Sequence, residues 1–112
     1  MPPMARAGVV LGGYFAAVHR FVDQLGATAE VGRLCPLAHA VLGGDARALL
    51  AFLHAVRRCL VSYQAPGEMW EWHEAALSVV IDLVVEGETF QRLDEEIHQG
   101  LVDTYQATWE CD

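Results

Sequence analysis

Lysine is missing altogether from the 112 residues, and all seven basic side chains are arginine. Alongside abundant Ala, Gly and Val, this reads as the mark of a GC-rich coding sequence rather than of any chemistry. Cysteine is scarce: Cys35, Cys59 and Cys111 are widely spaced and form no Cys-x-x-Cys pair. That pattern fits neither a disulfide framework nor a zinc site, and the expectation is a reducing, cytoplasmic setting. Long hydrophobic runs are lacking too. The longest mainly apolar stretch, residues 75–85, contains Asp82 and falls well short of the roughly 20 residues that cross a bilayer as a helix. The N-terminal MPPMARAGVVLGGYFAAVHR has one early arginine and an apolar run but no clean small-residue cleavage site, so it reads as part of the fold. Repeats and low-complexity linkers do not occur.

Positive charge is almost absent from the C-terminal part. Residues 65–112 hold Arg92 against twelve carboxylates, a balance of −11, whereas residues 1–64 hold six arginines against Asp23, Glu30 and Asp45, a balance of +3. An acidic half repels phosphate backbones, which speaks against nucleic acid and for a basic protein partner. With 54% apolar and 20% charged residues the chain has the composition of a folded protein, and its length suits one domain over residues 1–112.

The apolar positions recur at helical steps throughout. Val10, Tyr14, Val18, Phe21 and Leu25, widened by Leu11, Phe15 and Val22, predict a first helix over 8–25. Gly12 and Gly13 within it mark a kink or close packing, and Gly26 caps its end. Thr28 is placed to cap a second helix that Pro36 would kink and Gly43 and Gly44 would end. Asp45 is placed to cap a third, over 45–63, with Leu49, Leu53, Val56, Leu60 and Tyr63 on one stripe. Pro66 and Gly67 turn the chain into a fourth helix whose first turns carry Glu68, Glu71 and Glu74. The tract AALSVVIDLVV at 75–85 is rich in β-branched residues, but its length and neighbours favour helix. Phe90, Leu93, Ile97, Leu101, Tyr105 and Trp109 stripe a last helix. The expected fold is all-α, a compact antiparallel helical bundle of four long helices plus one short or kinked helix.

One segment carries a resemblance. Gly44, Asp45, Ala48, Leu49 and His54 follow the register in which histidine-phosphotransfer domains open their active helix and present their phosphorylated histidine, and Arg57 stands at the position of that family's lysine. Over residues 44–58 the chain therefore resembles those domains. The resemblance implies phosphorylation of His54, with Arg57 neutralising the phosphoryl group. Arg58 departs from the family, which has a small glycine there. Arg47 and His54 also form an Arg-x6-His pair similar to that of HEPN-type ribonucleases, which brings two such pairs together across a dimer. Glu95 and His98 form one Glu-x-x-His, the pair that ferritin-like di-iron bundles use twice; a single copy beside a solvated acidic face predicts no metal or cofactor.

Trp70 and Trp72, two residues apart on a helix, point nearly oppositely and cannot both face one core. Large aromatics near a surface are common anchors of protein interfaces. The reading that gathers these observations is a non-enzymatic regulatory or protein-interaction module, a homodimer, that binds another protein, expected to be basic, through Trp70, Trp72, Glu95 and Glu96. The alternative is phosphotransfer through His54 and Arg57.

Overall fold

The structure, a computed structural model, describes residues 3–86, 91–105 and 109. Among them the chain is all-helical, with α1 at Pro3–Leu25, α2 at Thr28–Leu42, α3 at Ala46–Ser62, α4 at Gly67–Glu86 and α5 at Glu95–Thr104. No helix among the described residues is long and apolar enough to cross a membrane.

α1 is the central element, packed on by α5, α4 and α2. Its buried side runs through Leu11, Tyr14, Phe15, Val18 and Val22, while Leu25 is exposed, so the core-facing stripe sits about one position round the helix from the one the periodicity favoured. A helix gripped from several sides needs a wide apolar arc, and the widening positions turn out to be its centre.

Two glycines let α5 approach α1 closely. A Cβ on Gly8 would stand 2.5 Å from the Ile97 carbonyl oxygen, and one on Gly12 would stand 2.5 Å from the Thr104 Cβ. Gly13, on the next face, receives the ring of Trp72, which a Cβ would meet at 2.7 Å. Of the two expectations for Gly12 and Gly13, a kink or close packing, close packing is what they provide, and α1 continues through them.

Helix ends follow local chemistry. Gly26 takes φ +63° after α1, a conformation that costs other residues more. Asp45 caps α3 by accepting the Arg47 and Ala48 amides at 2.9 and 3.2 Å, and Asp94 caps α5 through the Glu96 amide at 2.9 Å. The expected cap at Thr28 does not form; the N-cap of α2 is Ala27, with no side-chain bond, and Thr28 is already helical. α2 runs through Pro36 without ending.

The last helix is shorter than its stripe. α5 stops at Thr104, Tyr105 turns to extended backbone, and Tyr105 and Trp109 are nevertheless buried. Trp109 meets Phe52 edge-on and is held by His39, whose Nε2 donates to the Trp109 carbonyl at 2.5 Å. The burial demanded by these rings is met without a continuous helix. Phe90, which the sequence placed at the start of that stripe, lies outside the described residues.

Candidate functional site

Segment 91–93 clasps the turn between α2 and α3. Asp45 and Arg92 pair as an isolated antiparallel bridge, the Ala46 amide donates to the Gln91 carbonyl at 3.0 Å, and the Leu93 amide donates to Gly44 at 2.9 Å. Arg92 donates to the Gly43 carbonyl at 3.3 Å, and His98 Nε2 donates to that of Leu42 at 2.6 Å. Gly44 takes φ +99° beneath the Arg92 guanidinium. The Gly44–Asp45 pair thus has a complete structural role: one residue supplies the left-handed turn and the other the helix cap.

α3 projects outward from this clasp. Its inner stripe, Leu49, Phe52, Leu53, Val56 and Leu60, is buried, while Arg47, His54, Arg57 and Arg58 are all exposed. His54 and Arg57 lie one turn apart on the outer face, and Arg47 two turns before His54 shares it. Leu50 and Val61, 43% and 59% exposed, interrupt the basic stripe with apolar surface.

α4 carries a different polarity. Met69, His73, Ala76 and Val80 form its buried stripe; Glu71, Glu74 and Asp82 are exposed, with Ile81, 59% exposed, among them. Contrary to the expectation that they cannot both face one core, Trp70 and Trp72 are both half-buried against it, reaching it from opposite flanks of α4. Trp70 meets the His73 ring edge-on, and Trp72 lies on Gly13 as one wall of a groove of about 320 Å³ shared with Ala17, Arg20, Phe21, Pro66 and Met69. Glu95 and Glu96 are exposed in the first turn of α5. They stand near Gly8, whose neighbour is Ile97, whereas the Trp72 groove opens toward Arg20 and Gln24 at the other end of α1. The two tryptophans and the two glutamates therefore form no common surface.

The interior holds a polar pair that the sequence reading passed over. Tyr14 and His73 are joined by a hydrogen bond of 3.0 Å between the hydroxyl and Nδ1, with Tyr14 fully buried and His73 2% exposed. Burial, and next the charge of Arg57, hold the His73 pKa below its usual value against an opposing effect of Glu74, and burial raises that of Tyr14. Both groups are neutral near pH 7. His73 Nε2, Tyr105 Oη and Trp109 Nε1 have no hydrogen-bond partner inside this aromatic core. The signal was available: Met69, His73, Ala76 and Val80 recur at helical steps, placing His73 in an apolar register.

The cysteines correct another expectation. Cys35 is disulfide-bonded, and Cys59 is a buried free thiol at the base of a small cleft lined by Glu30, Arg33 and Arg58. Spacing alone cannot reveal such a bond. Burial, and then the nearby Glu30 carboxylate, raise the Cys59 pKa, with Arg33 opposing, so the group stays a thiol. Cys111 lies outside the described residues.

No protein-family model matches the chain, and neither a curated protein nor a solved structure is found to match it.

Proposed function

We propose that the chain is a non-enzymatic protein-interaction module of regulatory type, an antiparallel bundle of four long helices and one short one. The observation that carries this reading is the apolar surface left on α3 and α4 around a closed aromatic interior: Val61 and Ile81 are each 59% exposed within strongly charged helix faces. Isolated apolar side chains are ordinary on a surface, but here they sit beside an arginine-rich stripe on one helix and a carboxylate stripe on the next, opposite charges that can complement those of a partner. The Trp72 groove is a second contact point. Glu95 and Glu96, apart from it, suit a separate basic contact. The test is capture of a protein partner by the wild-type chain and by the double variant Val61→Ser, Ile81→Ser. Recovery should fall several-fold with the helical circular dichroism unchanged, and equal recovery by both chains overturns the reading.

A second reading rests on one observation, the exposure of both His54 and Arg57 one turn apart on α3. An exposed imidazole beside a guanidinium is the arrangement phosphotransfer needs. A phosphorylated receiver domain or a small phosphoryl donor should then give an acid-labile, base-stable adduct that His54→Gln abolishes. Absence of the adduct removes this reading and leaves the first untouched.

A further inference from the structure

The short turn 63–66 joins α3 to α4 and the two helices contact each other, so residues counted equally outward from the turn stand at similar levels. Phe52 and His73 both touch the Tyr14 ring, and Arg57 is the α3 charge that His73 feels. Going outward from the turn, the exposed stripe of α3 reads Arg57, His54, Arg47, while at the same levels α4 reads Glu71, Glu74, Asp82. A basic ridge and an acidic ridge thus run side by side, with Leu50, Val61 and Ile81 supplying exposed apolar surface along them.

Two ridges of opposite charge are self-complementary under one kind of symmetry. A two-fold axis lying in the plane of this face and parallel to the helices keeps each level and exchanges the two sides, laying α3 of one copy on α4 of the other. Arg57 then meets the level of Glu71, His54 that of Glu74, and Arg47 that of Asp82. The in-plane axis perpendicular to the helices would set arginines against arginines and carboxylates against carboxylates, which repulsion opposes.

We propose that the α3–α4 face is a homodimer interface, each copy seating its arginine ridge on the carboxylate ridge of the other. This rests on the reading of the chain as an interaction module and names its partner as a second copy. The dimer covers His54, so a dimeric chain is a poor phosphoryl acceptor. It also lays α3 on α4, so it does not bring two Arg47–His54 pairs together.

The test uses two full-length charge-reversed chains, Arg47→Glu with Arg57→Glu, and Glu74→Arg with Asp82→Arg, all at exposed positions. The first has two acidic ridges and the second two basic ones. Sedimentation should give a wild-type dimer at tens of micromolar whose dissociation constant rises with salt. Each variant alone should associate at least tenfold more weakly, and an equimolar mixture should re-form a one-to-one dimer. Circular dichroism of each variant confirms that it is folded, and the mixture distinguishes lost charge pairing from lost structure. A wild-type monomer overturns the dimer while leaving the capture experiment with Val61→Ser and Ile81→Ser to decide the broader reading. A dimer unaffected by either reversal, or variants that stay apart when mixed, also overturns it.

Discussion

Tyr14 and His73, 59 residues apart in the chain, bind each other at 3.0 Å with both side chains sealed from solvent. The bond links the central helix to α4 within a continuous set of rings, since Tyr14 also meets Phe15 and Phe52 edge-on and His73 meets Trp70. Tyr14→Phe leaves His73 without its partner and should cost about 1–3 kcal/mol, the penalty of a stranded buried polar group. Adding His73→Leu removes the stranded group, so the double variant should be less destabilised than the sum of the single ones. Urea unfolding of the four chains at pH 8 measures the coupling.

Acid should weaken the protein through His73. Its folded pKa lies below the ordinary 6.5, because burial and Arg57 disfavour the charged ring, so the unfolded state binds the proton more readily. The stabilisation is complete above about pH 6.5 and is lost as pH falls from there through the folded pKa, with a slope of at most about 1.4 kcal/mol per pH unit for one proton. In His73→Gln this component of the pH dependence should disappear between pH 7 and 5. An unchanged slope would mean that His73 is not the titrating group.

The glycines of α1 and α2 should respond oppositely to alanine. At Gly8 the new Cβ meets backbone of α5, which cannot yield as a side chain does, and Gly8→Ala should lose about 1–3 kcal/mol. Gly13→Ala meets the Trp72 ring and should displace it, with a shift in tryptophan fluorescence. Gly32, inside α2, has nothing within 4 Å, and Gly32→Ala should stabilise by about 0.5–1 kcal/mol through helix propensity. Thermal melts of the three variants rank them.

The clasp at the start of α3 can be taken apart in steps. Asp45→Ala removes the acceptor for the Arg47 and Ala48 amides and should cost about 1 kcal/mol, the usual loss of an N-cap. His98→Ala frees the part-buried Leu42 carbonyl and should add a comparable loss, of about 0.5–1.5 kcal/mol. Hydrogen exchange of the Ala46 and Leu93 amides, bonded to Gln91 and Gly44, should quicken in both variants before global unfolding does.

The all-α character, the five helices among the described residues and most of their limits were legible in the order of residues, because helical periodicity and capping are local. Asp45 caps α3 whatever lies around it, Pro66 and Gly67 start α4 where the turn signal stands, and the β-branched tract at 75–85 is helix as its length required. The outward placement of His54 and Arg57 also followed from the stripe opposite them. What required the tertiary structure depends on neighbours that are remote in sequence. Gly8, Gly12 and Gly13 are close-packing sites only because α5 and Trp72 lie against them. Tyr105 and Trp109 are buried by the core they reach rather than by a helix that carries them there. Tyr14 and His73 become a pair, and Trp72 and Glu95 come apart, through the packing of α4 and α5 against different parts of α1, an arrangement set by side-chain fit between helices that local periodicity cannot encode.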